Sequence, residues 1–299
     1  MFTAAVGFGL LAALLFAGSA SLQQHAAQRE RRRGGVVVDR PAGRTAIVVG
    51  LVVLFRRLLR EPLWLAGWGT NLIGFGAQAL ALYFGSVALV QPLLVTQLMF
   101  ALPMAAAWQR RWPDPLDWLS AALICGGLAV FLAVGGVAPV ADEADRVKLA
   151  LGCLAAAAAV AVIVLASVGL PPLVRATMLA VAAGLCFAVT AAMIKLTADD
   201  LITRGVAATA RDWPGYALAL STITGLLLEQ GAFAVGSLPS AVAAMSITNP
   251  VASYLLGVFA FGVVPPQSPG SLAGLAGAGA LISAGTIGLA RSPIVQFDR

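Results

Sequence analysis

The sequence predicts an all-α integral membrane protein with about nine transmembrane helices in two inverted-topology repeats. Three observations predict it. The 299 residues are 60% hydrophobic and 11% charged, with a mean hydropathy of +0.92. A soluble domain carries about 25% charged residues and could not bury this much apolar surface. The apolar residues gather into nine runs of spanning length, about 20 residues each. One pair of runs also occurs twice. At an offset of 151, Asn71 falls on Thr222, Gly74 on Gly225, Gln78 on Glu229, Gly85 on Gly236 and Ser86 on Ser237, without a gap.

The runs cover residues 2–22, 62–84, 86–108, 115–136, 149–169, 173–195, 214–236, 238–262 and 270–291. The first has no positive flank before it, so it reads as a span and not as a signal peptide. Between the first two lies the loop 23–61, with QQHAAQRERRRGG and then TAIVVGLVVLFRRLLREP. Its apolar run from Ala46 to Phe55 is too short to span, and Arg56, Arg57 and Arg60 end it. That pattern suits an amphipathic helix on the membrane surface, with a partial span as the alternative. His25 beside this loop reads as an interfacial residue, and Cys125, Cys153 and Cys186 inside spans read as small hydrophobes.

Orientation follows from Lys and Arg. With 23–61 inside, the inner loops hold 14 basic residues and the outer loops 5. This bias puts the N-terminus outside and the C-terminus in the cytoplasm, in the plasma membrane. The basic net charge of +6 is therefore a topology signal, and no nucleic-acid module accompanies it.

The repeat extends past its central pair. FAGSASLQQ at 16–24 resembles FAVTAAMIK at 187–195, and ALICGG at 122–127 resembles ALISAG at 280–285. Four spans in 1–136 thus match four in 173–299. A single bridging span in 137–172 forces the halves to enter the membrane in opposite directions, an arrangement common in secondary transporters.

The candidate binding residues lie on repeated helical faces. The steps 71, 74, 78 and 222, 225, 229 each trace one face. Asn71, Gln78, Gln91, Thr222, Glu229, Ser246 and Asn249 are the polar groups expected at a substrate cavity between the halves. Interhelical hydrogen bonding is the competing reading, because polar groups in hydrocarbon need partners or water. Pro92 and Pro250 would bend their spans. Lys195 either snorkels to the interface or guards the outer mouth. Glu229 is the acid set well inside a span, so it is the candidate for proton coupling, with an ion pair to Arg175 as the alternative.

The segments ALYFGSVALVQPLLVTQLMFALP and NPVASYLLGVFAFG, with the ALICGG/ALISAG closing spans, resemble the drug/metabolite transporter superfamily, EamA-like branch. The resemblance covers nearly the whole chain except 23–61. It implies a central cavity, alternating access and transport of a small organic metabolite or drug, often export. ALYFGSVALVQPL also resembles NIPA-type magnesium transporters. That pattern places a carboxylate after the glycine matching Gly74, where Phe75 stands here. The family usually has ten spans against the nine counted.

The expected function is secondary transport of a small molecule, with proton-coupled export through Glu229. The alternatives are a lipid-carrier flippase or a membrane subunit supporting a partner enzyme, with magnesium transport behind them. No enzyme activity, cofactor or metal site is expected. No phosphate-cradling loop or hydrolase set is present. Expected partners are the lipid bilayer and the small-molecule substrate. A homodimer or a partner membrane protein is compatible with the sequence.

Overall fold

A computed structural model describes residues 2–34, 44–84, 90, 93–109, 112–135, 145–262 and 267–292. Among them the chain is helical and contains no strand. The helices are α1 (Phe2–Gly34), α2 (Arg44–Leu58), α3 (Pro62–Phe84), α4 (Gln97–Gln109), α5 (Pro115–Gly135) and α6 (Arg146–Ala166). They continue with α7 (Pro172–Arg204), the short α8 (Val206–Thr209), α9 (Trp213–Val235), α10 (Leu238–Ala260) and α11 (Pro269–Ala290).

Seven described helices are long and apolar enough to cross a membrane: α1, α5, α6, α7, α9, α10 and α11. The protein is therefore an all-α, membrane-embedded chain. Of the other two expected spans, 62–84 is α3, whose 23 residues have the length but carry Asn71 and Gln78. The run 86–108 is described from Leu93 to Trp108 as a shorter apolar helix. Gly85, Ser86, Gln91 and Pro92 lie outside the described residues.

Two helices are longer than their apolar runs. α1 and α7 each have 33 residues, about 50 Å at 1.5 Å per residue, against a hydrocarbon core of about 30 Å. The apolar count stops where charge begins, but in α1 the residues that follow are mostly Ala, Gln, Glu and Arg, which are good helix formers. The backbone therefore carries on beyond the bilayer.

Glycine sets the close pairings. α1 packs along α3, and a Cβ on Gly74 would stand 2.8 Å from the Phe16 ring and 3.4 Å from Leu15. α7 packs along α9 in the same way: a Cβ on Gly225 would stand 2.8 Å from the Phe187 ring and 3.1 Å from Cys186. α5 and α11 make a reciprocal pair. Gly127 seats against Ile282 and the Ala278 carbonyl, both 2.8 Å from a Cβ there. Gly285 seats against Ile124 at 2.8 Å and the Ser120 carbonyl at 2.5 Å. Moving up α5 from 120 to 127 moves down α11 from 285 to 278, so the two helices cross antiparallel.

The helices run up and down. One end gathers the last turns of α1, α4 and α9 with the first turns of α3, α7 and α10. It also carries α2, and is called the basic end below. α2 contains the short apolar run from Ala46 to Phe55. Its 15 residues are too short to span. Leu51, Leu54 and Leu58 are buried on one of its faces, with Leu51 against Gly231 of α9. Phe55 meets Trp64 edge-on at 5.6 Å. It is thus a docked strut as well as an amphipathic helix.

Candidate functional site

A chain of buried polar groups crosses from α1 and α3 to α9 at the basic end. Gly67 lets α1 and α3 approach: a Cβ there would lie 2.8 Å from Gln23 Cγ and 3.1 Å from the Ser19 carbonyl. Ser19 and Gln23 are one turn apart, and Gln23 Nε2 donates to Ser19 Oγ at 2.8 Å. Gln23 Oε1 accepts from Gln230 Nε2 at 2.8 Å, and Gln230 Oε1 accepts from Trp64 Nε1 at 2.9 Å. All four residues are at most 5% exposed. Next to Gln23 and one turn beyond it, Gln24 and Gln28 donate to the Gly236 carbonyl at 2.8 and 3.2 Å, gripping the turn after α9. Buried amides that satisfy one another fix a unique packing.

Glu229 precedes Gln230 and is turned by about 100° from it on the same helix. It is half-buried, and among the described residues no hydrogen bond or ion pair reaches its carboxylate. No ion pair joins it to Arg175, which is itself 4% exposed. The pairing offered by the sequence as an alternative is therefore not formed.

The other expected residues divide between helix seams. Thr222 Oγ1 donates to the Leu218 carbonyl at 2.7 Å and lies 3.4 Å from Thr190 of α7. Ser246 accepts from Gln97 Nε2 at 3.0 Å, a bridge between α10 and α4. Asn249 Oδ1 accepts from Ser253 at 3.3 Å, and its backbone N lies against Gly184. Asn71 and Gln78 are half-buried on α3. Among the described residues, α3 and α9 are hydrogen-bonded at Trp64–Gln230 and not between the two predicted stripes.

His25 and Lys195 both lie against aromatic rings. His25 stacks on Trp108 with ring centroids 4.0 Å apart, and Trp108 Nε1 donates to Ser21 at 2.9 Å. Lys195 Nζ sits 4.9 Å over the Phe261 ring. Sequence reasoning missed Gln23, Gln230 and Trp64. The signal available was two adjacent glutamines in FAGSASLQQ and an amide beside Glu229.

The opposite end carries an ion-pair cluster that the sequence reading also missed. Asp200 at the end of α7 is 3% exposed and accepts from Arg146 and, at 3.3 Å, from Arg204. Asp212, the N-cap of α9, accepts from the same two arginines at 2.8 and 2.5 Å. The Arg204 hydrogen bond holds the Asp212 carboxyl below the usual carboxylate range, helped by the Trp213 backbone N–H and Arg146. The depressed value means that this stabilisation is present above the ordinary aspartate pKa of about 3.9 and is lost as pH falls further. Asp145 caps α6 and donates its backbone N–H to the Ala260 carbonyl at 2.9 Å. The cluster thus ties α6, α7, α9 and α10 together. Asp200→Asn is expected to lower stability by about 1–2 kcal/mol, discounted because both arginines are partly exposed. Thermal unfolding in detergent reads this, and an unchanged midpoint would show the cluster to be decorative.

A protein of Corynebacterium glutamicum with no characterised function is 27% identical over 204 residues, which are 68% of this chain and 71% of that protein. No family model matches the sequence, and no solved structure matches it.

Proposed function

We propose that this chain is a secondary transporter moving a small organic solute by alternating access between two inverted repeats, 1–136 and 173–299, bridged by 137–172. On this reading nine segments cross the plasma membrane, including 62–84 and 86–108, with the basic end in the cytoplasm. The observation that carries it is the reciprocal seating of Gly127 on Ile282 and Gly285 on Ile124 in antiparallel helices. Equivalent residues that exchange contacts this way are what a two-fold axis in the membrane plane produces. The matched Gly74–Phe16 and Gly225–Phe187 seats support the same axis.

Glu229 is the proposed coupling group. A carboxylate in a span with no partner is costly unless it protonates or meets a substrate. In proteoliposomes, Glu229→Gln is expected to abolish pH-gradient-driven movement of the solute while leaving the fold and thermal stability near wild type. Pairing each strain with its deletion in a metabolite comparison identifies that solute. Unchanged gradient-driven transport in Glu229→Gln would sink the coupling role.

One observation favours a lipid-carrier flippase as a second reading. Next to Asn71 and Gln78, α3 exposes Leu72, Ile73 and Phe75 by 63%, 64% and 54%, so its polar stripe borders a bilayer-facing flank. Accumulation of a lipid-linked species in place of a soluble metabolite would select this reading.

A further inference from the structure

α2 has a second face that none of the described helices covers. Opposite Leu51, Leu54 and Leu58 it presents Val49, Val52 and, in the turn after its end, Leu59, exposed by 59%, 40% and 48%. Arg56, Arg57 and Arg60 are exposed around the same outward side. Steps of three and four residues place Val49, Val52, Arg56 and Leu59 on one stripe. Among the described residues, Glu61 and Glu30 pair with Arg33, at 3.6 and 3.2 Å, and not with these arginines.

An apolar stripe interleaved with unpaired arginines has a natural occupant at a bilayer surface. The valines and leucine enter the acyl boundary while the guanidiniums reach headgroup phosphates, to which they bind in a fork. We propose that this face of α2 is a binding site for anionic phospholipid headgroups of the leaflet in which it lies. The covered face transmits the occupancy inward. Leu51 bears on Gly231 and Phe55 on Trp64, so α2 touches both sides of the Gln23–Gln230–Trp64 chain. A lipid that fixes α2 therefore stabilises that buried contact. This site does not depend on what the protein transports.

The test uses the purified full chain in nanodiscs of phosphatidylcholine, with or without phosphatidylglycerol. Native mass spectrometry counts retained phosphatidylglycerol, and thermal unfolding reads its effect. Retained lipid and a raised midpoint are expected for the wild type and for Arg291→Gln, a control at the end of α11. Each arginine near a charged surface contributes about a fivefold factor, so Arg56→Gln, Arg57→Gln and Arg60→Gln together should weaken retention on the order of a hundredfold. Should the triple variant not fold, Arg60→Gln alone, in the turn beyond the helix, should still weaken it about fivefold. Equal retention by the variants and the wild type would overturn the proposal. So would an equal rise in midpoint from inorganic phosphate in phosphatidylcholine discs, which would mark a soluble-anion site.

Discussion

Gly285→Ala is expected to destabilise the protein by about 1–3 kcal/mol or more, one of the largest single-methyl effects in the chain. The new Cβ would meet the Ser120 carbonyl oxygen at 2.5 Å and the Ile124 backbone nitrogen at 3.0 Å. Those are backbone atoms, so no side-chain rotation relieves the contact and α5 and α11 must separate. Separation loosens the reciprocal seat of Gly127 on Ile282. The double variant with Gly127→Ala should therefore cost less than the sum of the two singles, because the crossing is already forced apart. Gly277→Ala on the same helix is the internal control. Nothing lies within 4 Å of a Cβ there. It should be neutral or stabilising by up to about 1 kcal/mol, since alanine is the better helix former. Thermal unfolding of the four variants in one detergent decides it. Equal midpoints for Gly285→Ala and Gly277→Ala would show that the crossing is not held by glycine.

The glycines that seat these helices were legible as repetition and illegible as contacts. The offset of 151 pairs Gly74 with Gly225, but nothing in the sequence says that each receives a phenylalanine ring, from α1 and α7 respectively. The class of fold was legible because bilayer-length apolar runs have few other uses. Helix ends were less so. The apolar count closes α1 near 22 and α7 near 195; α1 continues because strong helix formers follow, and α7 continues to Arg204 despite its threonines and aspartates. α2 shows a third limit. Its arginines advertise a membrane surface, while Leu51, Leu54 and Leu58 dock it on the bundle, and no local pattern distinguishes lipid from protein as the cover for an apolar face.

The polar character of these helices was legible in the sequence, but the amide chain through Gln230 was not. Reading 222, 225 and 229 as one face passes over Gln230, which points about 100° away. That direction leads to α1 and α3, and whether it meets an amide or a lipid chain depends on tertiary packing. Thr222, Ser246 and Asn249 are polar at the predicted positions, yet their hydroxyls and amide are engaged at helix seams. Glu229 stands apart from them because its carboxylate has no such partner among the described residues.

Gln230→Leu is expected to be among the most damaging conservative-volume changes, at about 1–4 kcal/mol. Gln230 is 1% exposed and is the junction through which Trp64 of α3 and Gln23 of α1 are joined to α9. Leucine fills much the same space but leaves the Trp64 N–H and the Gln23 carbonyl oxygen without partners. An orphaned buried group costs about 1–3 kcal/mol, while bonds between membrane helices average nearer 0.6 kcal/mol, which brackets the range. Trp64→Phe removes one donor only and should cost less. Replacing Gln23 and Gln230 together by leucine removes both members of one bond, so the pair should be less destabilised than the sum of the singles. Function separates a gate from a rivet. If the halves rock about this end, loosening the junction opens the path beside it. A cysteine placed at Glu229 in a background lacking Cys125, Cys153 and Cys186 should then react faster with a soluble thiol reagent when Gln230 is leucine. A lowered unfolding midpoint with unchanged labelling would mean that the amide chain holds the helices together without gating anything.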